Sequence, residues 1–184
     1  SQPLDDHRQR LSQIRPRVER LQLGGAAGDR ATLPHAESLV AEVSLRLGLA
    51  NPPKAWHAMR DAVVDYAGLL SLIGGTLGKM GQDICLMAQQ GVDEITLDNA
   101  GGSSAMPHKQ NPVLAELLVT LARFNATQVS AMHQGLVHEQ ERSGAAWALE
   151  WMVLPQMAQA TARSLAASTA ICQAISHVGL KAIR

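Results

Sequence analysis

The chain has 184 residues and a mass of 19.6 kDa, which is enough for one domain with a sizeable core. Sixteen Lys and Arg balance sixteen Asp and Glu, so charge gives no general attraction to nucleic acid or to an anionic membrane. No apolar run approaches the roughly 20 residues that span a bilayer, and the opening SQPLDDHRQR lacks the apolar region of a secretory signal. We therefore expect a cytoplasmic protein that binds neither nucleic acid nor membranes.

Two shorter helices are predicted first in chain order. Residues 4–21 place apolar side chains at helical steps of three or four, with Pro16 expected to bend the helix. Residues 34–47 repeat the pattern and end at Gly48, a common residue after a helix. Asn51-Pro52-Pro53 then forms a turn.

Three longer helices are predicted at residues 55–90, 113–138 and 145–175, with Pro155 expected to kink or restart the last. No stretch shows the alternation of a strand, so the predicted fold class is all-α, a long-helix bundle. The apolar stripes are wider than one small monomer would cover, which favours a bundle shared between subunits.

Glycines and cysteines inside these helices need an explanation. The glycines of the 55–90 helix reduce its propensity, and we attribute them to close approach of a neighbouring helix, with a break at Gly74-Gly75 as the alternative. Cys85 and Cys172 each stand alone in an apolar stretch, as buried, reduced thiols do. The histidines lack metal-ligand spacing, and we expect no metal site. Those considered were His57, His108, His133 and His138.

One segment, residues 91–112, has no helical periodicity although it lies between two predicted helices. A long irregular loop in a helical protein is usually functional. Its glycines and serines are followed by a cation, Lys109, and an amide, Asn111, which suits a lid closing on an anionic substrate. The phosphate-binding pattern G-x-x-x-x-G-K-[ST] is not present.

Residues 102–112, GSSAMPHKQNP, fit the G-S-S-x-M-P-x-K-x-N-P motif of the fumarase/aspartase superfamily without a mismatch. Two further blocks resemble that superfamily: QLGGAAG at residues 22–28, and ERS at 141–143 followed by Leu154-Pro155. The chain thus resembles the superfamily over most of its length, about residues 15–175.

This resemblance implies the central domain of the L-aspartase-like fold. We expect residues 1–155 to form the helical bundle with the active-site loop at 91–112. Residues 156–184 would end the bundle and begin a truncated carboxy-terminal region. The resemblance also implies a longer enzyme, a homotetramer whose active sites combine segments of three subunits.

Within the superfamily the sequence is most similar to the carboxymuconate cycloisomerases, which act in aromatic degradation through the β-ketoadipate pathway. The matching segments are LGGAAG at residues 23–28, WHAMRD at 56–61 and HEQERSGAAWALEW at 138–151. The adenylosuccinate lyases are the nearest rivals, with Gln in place of Trp56 and Ser and Arg in place of Trp147 and Trp151. Two indoles cannot replace a hydroxyl and a guanidinium as partners of a phosphate, which disfavours a nucleotide substrate.

The chemistry implied is addition or elimination beside a carboxylate, here ring closure of a small tricarboxylate to a γ-lactone, with no cofactor. By resemblance Ser103 is the catalytic serine, and Lys109 and Asn111 hold a carboxylate and stabilise the charged intermediate. Arg142 is a second carboxylate clamp, unless it only pairs with Glu139 or Glu141. The other predicted substrate-binding residues are Ser104, Met106, Gly24, Gly25, Trp56 and Trp147.

One departure from the superfamily pattern and two alternative functions stay open. Asp29 follows Gly28 where superfamily members usually have Thr, which puts in doubt a substrate hydrogen bond from that position. Another superfamily lyase acting on a succinyl-type substrate, or a non-catalytic oligomerisation module that retains the loop, would share the same motif.

Overall fold

A computed structural model describes residues 2–25, 27–31, 33–98, 101–103 and 106–179, with the backbone alone at 101–103 and 106–110. The helices within these residues are α1 (Gln2–Val18), α2 (Ala36–Leu47), α3 (Asp61–Met87), α4 (Val113–Gln134) and α5 (Gly144–Ala174). The strands are β1 (Ile95–Leu97), β2 (Gly101–Ser103), β3 (Met106–Asn111) and β4 (Ile175–Val178). The predicted all-α class is confirmed because helices dominate, but the expectation of no strands was wrong for these four short segments.

The long helices are continuous where the sequence left a choice. Helix α3 runs through Gly74 and Gly75 without a break. Pro155 lies inside α5, so the helix does not restart there. Pro16 also lies within its helix, close to the end of α1. No helix in the described ranges is both long and apolar enough to cross a membrane.

The chain divides into two compact units, each made of two segments. The first unit comprises Ser1–Leu69 and Gln128–Pro155, and the second comprises Leu70–Thr127 and Gln156–Arg184. The predicted division into residues 1–155 and 156–184 remains a prediction.

In the first unit, the chain after α1 is held by backbone pairing. Arg20 and Ala50 form a parallel bridge, in which Leu21 N–H donates to the Ala50 carbonyl at 2.9 Å. The Ala50 N–H donates in turn to the Glu19 carbonyl at 2.9 Å. This pairing fixes where the glycine-rich turn at residues 22–28 begins.

In the second unit, α3 and α4 approach closely at glycine. A Cβ atom on Gly81 would lie 2.5 Å from the carbonyl oxygen of Ala115, and one on Gly78 would lie 2.5 Å from the Ala122 Cβ. Real side chains do not come this close, so the predicted use of these two glycines is confirmed. Gly75, on the same helix, has nothing within 4 Å of its Cβ position.

A buried amide connects the helices of the second unit. Asn125, on α4 and 1 % exposed, donates from Nδ2 to the Met157 carbonyl at 3.3 Å and to Thr161 Oγ1 at 2.9 Å, both on α5. The Thr161 hydroxyl lies 2.9 Å from the same Met157 carbonyl and 3.4 Å from the Leu70 carbonyl of α3. Polar groups at this depth specify which residues face each other, because an unmatched partner is costly.

The cysteines are less buried than predicted. Cys85 is half-buried and Cys172 is exposed, so the expectation of buried thiols was wrong for Cys172. Burial, and then the negative charge of Glu116, raise the pKa of the Cys85 thiol. That keeps the thiol protonated and poorly nucleophilic.

Candidate active site

The described residues of the G-S-S-x-M-P-x-K-x-N-P motif form the paired strands of a β-hairpin in the second unit instead of an irregular loop. Strands β2 and β3 are antiparallel, with Gly101 opposite Asn111, Ser103 opposite Met106 and an irregular register between the two pairs. Ser103 therefore ends β2, and Lys109 lies within β3. Ser104, also a predicted substrate-binding residue, lies outside the described residues.

Helix α4 begins directly after this hairpin. The Pro112 carbonyl accepts hydrogen bonds from the N–H groups of Ala115 at 2.8 Å and Glu116 at 3.0 Å, which starts the first helical turn. Proline at such a position is pre-set for helix entry, as the sequence predicted. Asn111 thus lies directly before the start of α4, whereas Ser103 and Met106 lie at the other end of the paired strands.

Asn111 is half-buried and borders a cavity of about 260 Å³ in the second unit. The walls are mostly apolar and come from the start of α4 and the end of α5. They include Leu97, Pro112, Leu114, Ala170, Ile171 and Ala174. Asp98 N–H donates to the Ala174 carbonyl at 2.7 Å, which closes one side. An amide in the wall of a mostly apolar cavity is suited to orienting a small polar ligand.

The glycine-rich turn of the first unit is compact and internally bonded. Gly25 N–H donates to the Asp29 carbonyl at 2.7 Å, and Gly28 N–H donates to the Gly25 carbonyl at 3.0 Å. Gly28 has φ +73°, a left-handed conformation that favours glycine, and a Cβ on Gly24 would meet the Ala55 Cβ at 2.9 Å. The Asp29 carboxylate accepts a hydrogen bond from the Ala31 N–H at 3.2 Å, so this side chain stabilises the end of the turn.

Trp56 connects this turn to the segment before α3. Its indole N–H donates to the Leu21 carbonyl at 3.1 Å, and its backbone N–H donates to Gln22 Oε1 at 2.7 Å. Trp56 is 7 % exposed, with the guanidinium carbons of Arg20 and Arg60 at 4.9 and 5.1 Å from its ring centroid. Both hydrogen bonds are internal, so any substrate contact of Trp56 would use the ring alone.

Trp147 and Trp151 form an aromatic pair at the start of α5. Their ring centroids lie 5.6 Å apart at an interplanar angle of 34°. Arg142, which is exposed, has its guanidinium carbon 5.0 Å from the Trp147 ring centroid. Within the described part of the chain Arg142 makes no ion pair at 4.0 Å or less, so neither Glu139 nor Glu141 neutralises it. Its fork of donors is available to an anion.

His57 is a candidate residue that sequence reasoning did not select. It is 8 % exposed, and its ring packs edge-on against Trp147 with centroids 6.2 Å apart. Its carbonyl accepts from the Trp147 indole at 3.2 Å, and Gln22 Nε2 lies 3.2 Å from its Nδ1. The available signal was its place directly after Trp56, beside a segment already assigned to the site.

The predicted site residues therefore fall into two groups. Gly24, Gly25, Trp56, Arg142 and Trp147 belong to the first unit, and Ser103, Met106, Lys109 and Asn111 to the second. Among the residues that the structure describes, no three His, Cys, Asp or Glu side chains are grouped as a metal ion would require.

Comparisons with known proteins place the chain in a lyase family. The family described as Lyase matches residues 1–130. Over 158 residues the chain is 41 % identical to a 3-carboxy-cis,cis-muconate cycloisomerase from Pseudomonas aeruginosa, covering 84 % of the chain and 34 % of that protein. Over 155 residues it is 34 % identical to an N-acetyl-S-(2-succino)cysteine lyase from Dickeya dadantii, covering 82 % of the chain and 34 % of that protein.

A solved structure gives the same relationship. The crystal structure of the 3-carboxy-cis,cis-muconate lactonizing enzyme from Pseudomonas putida superimposes with a TM-score of 0.88 at 35 % identity. The match covers 95 % of this chain and 39 % of that one. The chain thus spans little more than a third of the length of the proteins it matches.

Proposed function

Since the chain belongs to this lyase family of the fumarase/aspartase superfamily, we propose that it is the central helical part of a 3-carboxy-cis,cis-muconate cycloisomerase. The observation that carries the choice of substrate is the Trp147–Trp151 pair with Arg142 against it. This surface offers one cation and two indoles, which suit a flat, unsaturated carboxylate and not a phosphate dianion. The 41 % identity to a cycloisomerase supports the same assignment.

The reaction is an isomerisation that needs no electron transfer. One carboxylate oxygen of the substrate forms a bond to a carbon of the conjugated diene. The electron pair of that double bond moves toward the neighbouring carboxylate, giving a doubly charged intermediate. A proton then adds to the carbon beside that carboxylate, and the γ-lactone results. In reverse, removal of this proton expels the carboxylate and restores the diene.

Ser103 is the proposed proton carrier at that carbon. A serine hydroxyl is a weak acid, so its alkoxide needs nearby donors or positive charge. Backbone N–H groups of the glycine-rich stretch that leads into Ser103, and the Lys109 ammonium, would supply them. Asn111, held at the start of α4, would orient a carboxylate of the substrate.

Arg142 and Trp147 are assigned to the substrate in the first unit. Arg142 would pair bidentately with a carboxylate, while the Trp147 ring covers the planar diene. Assembly of a homotetramer, with each site drawn from several subunits, is part of this proposal. It would explain why the site residues divide between two units of one chain.

The assay that tests this function follows the absorbance of the conjugated diene after 3-carboxy-cis,cis-muconate is mixed with the intact protein. The proposal predicts loss of absorbance at a catalytic rate and formation of the lactone. Absence of turnover by the intact, folded protein would reject it.

A second function is favoured by the 34 % identity to the N-acetyl-S-(2-succino)cysteine lyase. Elimination from a succinyl compound uses the same proton transfer beside a carboxylate, with a C–S bond breaking in place of a C–O bond. Turnover of N-acetyl-S-(2-succino)cysteine with none of carboxymuconate would select this function. Turnover of neither compound would favour a non-catalytic oligomerisation module.

A further inference from the structure

The side chain of Gln22 is oriented by its bond to Trp56. Its Oε1 lies 2.7 Å from the Trp56 backbone nitrogen. A backbone N–H only donates, so the atom facing it must be the amide oxygen. The two ends of the Gln22 amide are therefore distinguishable, and the NH₂ group must face the other way.

That NH₂ group lies against His57. Gln22 Nε2 is 3.2 Å from His57 Nδ1, and an amide nitrogen donates but does not accept. Nδ1 must therefore be the accepting nitrogen, which places the ring proton on Nε2. The ring packs edge-on against Trp147 with centroids 6.2 Å apart, and the Trp147 indole N–H bonds the His57 backbone carbonyl at 3.2 Å.

The protonated edge of His57 faces the glycine-rich turn. A Cβ on Gly28 would lie 3.1 Å from His57 Cε1 and 3.4 Å from Nε2, so glycine lets this edge of the ring approach the turn closely. Glu141 Oε2 would lie 3.4 Å from the same Cβ position and is the charged group that borders it. Arg142, next in sequence to Glu141, lies against the Trp147 ring that also packs on His57.

We propose that His57 is a further substrate-binding residue, whose Nε2–H donates to a carboxylate oxygen of the substrate beside Gly28, and that Gln22 is the positioning residue that sets its tautomer. The proposal rests on the function given above, since it is that substrate whose carboxylates need donors. His57 adds a neutral donor to the cation Arg142, a combination that fixes the orientation of a tricarboxylate as well as its charge.

The tautomer is tested by NMR of the intact protein carrying isotope-labelled histidine, with the His57 signal assigned from its absence in His57→Gln. Wild type should show a protonated Nε2 and a bare Nδ1. Gln22→Glu presents an acceptor to Nδ1 in place of a donor and should move the proton to Nδ1. Gln9→Glu makes the same chemical change on an exposed face of α1 and should leave the signal unchanged. A proton on Nδ1 in wild type would overturn the inference without any variant.

The binding role is tested by KM for carboxymuconate. Loss of one hydrogen bond to a charged oxygen should raise KM about tenfold in Gln22→Glu and His57→Leu. His57→Gln retains an N–H near the position of Nε2 and should recover most of that loss. Equal KM values in wild type and His57→Leu would reject the binding role even if the tautomer is as predicted. Failure of wild type to turn over carboxymuconate would instead reject the proposed function, while the NMR result would still decide the role of Gln22.

Discussion

Arg60 and Glu150 form a two-pronged ion pair inside the first unit. Arg60 Nε donates to one carboxylate oxygen at 2.8 Å and Nη2 donates to the other at 2.5 Å. The side chains are only 13 % and 7 % exposed. The same guanidinium lies against the Trp56 ring, so the pair fixes the segment carrying Trp56 and His57 onto α5.

Glu150→Gln should therefore destabilise the protein strongly. The substitution leaves the Arg60 charge buried without a counter-charge, for which a loss of about 3–5 kcal/mol in the free energy of unfolding is typical. Urea denaturation at fixed protein concentration measures this loss. Glu42→Gln is the matched control, because its pair with Arg46 is exposed and should contribute at most about 0.5 kcal/mol. Equal effects of the two substitutions would contradict the structural role of the buried pair.

Gly81→Ala and Gly75→Ala should have opposite effects although both lie in α3. Alanine favours a helix over glycine by about 1 kcal/mol, so Gly75→Ala, with open space at Cβ, should stabilise by up to that amount. At Gly81 the new methyl group would lie 2.5 Å from the Ala115 carbonyl oxygen, and separating the helices should cost about 1–3 kcal/mol. Thermal melting of both variants checks the signs. Stabilisation by both would show that the helices do not approach as described.

The helices were predictable because their apolar spacing is a local property of the sequence. The helix predicted at residues 55–90 and the observed α3 (Asp61–Met87) differ only at their ends, where capping residues and turns determine the boundary. Gly78 and Gly81 were interpreted correctly, because close helix contact was the simplest reason to keep glycine in a strong helix, whereas Gly75 has no such contact. Strands β1 and β4 were not predictable, since three or four residues carry too little alternation and their partner lies about 80 residues away.

The candidate site could be proposed from the sequence only where a contiguous motif carried it. Residues 102–112 could be recognised as they stand, and the hairpin then places Ser103 and Asn111 on adjacent strands. His57 was not selected, because its place after Trp56 is a weak signal and its contacts come from Gln22, Gly28 and Trp147, which are distant in sequence. A single buried histidine next to a tryptophan is, by sequence alone, an ordinary core residue.

Asn125→Asp should destabilise the second unit by at least about 2 kcal/mol. The amide donates to the Met157 carbonyl and the Thr161 hydroxyl, and an aspartate would bring a buried charge that cannot donate to that carbonyl. Asn51→Asp, at an exposed position outside the helices and strands, should change the free energy of unfolding by no more than about 0.5 kcal/mol. If Asn125→Asp unfolds in urea at the wild-type midpoint, the buried amide does not hold α4 to α5.

The protein should lose stability in mild acid because of His7. Burial lowers the pKa of His7, and the positive charge of Arg10 lowers it further. Arg10 Nη1 lies 2.9 Å from Nδ1, which must accept and so must lack a proton. The unfolded chain therefore takes up a proton more readily than the folded one. The stability that neutral His7 contributes is complete above about pH 6.5 and is lost as pH falls from there through the folded-state pKa.

His7→Gln should flatten this part of the pH dependence, as measured by urea unfolding above and below about pH 6.5. His133→Gln, at an exposed position of α4, should leave the dependence as in wild type. A His7→Gln protein that loses as much stability in mild acid as wild type would assign the acid sensitivity to other groups.

The proposed proton transfer by the hairpin motif is tested by Ser103→Ala in the intact protein. With diene absorbance as the readout, kcat should fall at least about 1,000-fold while KM changes little, since the hydroxyl acts on the reacting carbon and not in binding. Ser12→Ala, on an exposed face of α1, should retain wild-type kcat. Turnover by Ser103→Ala at the wild-type rate would contradict the account.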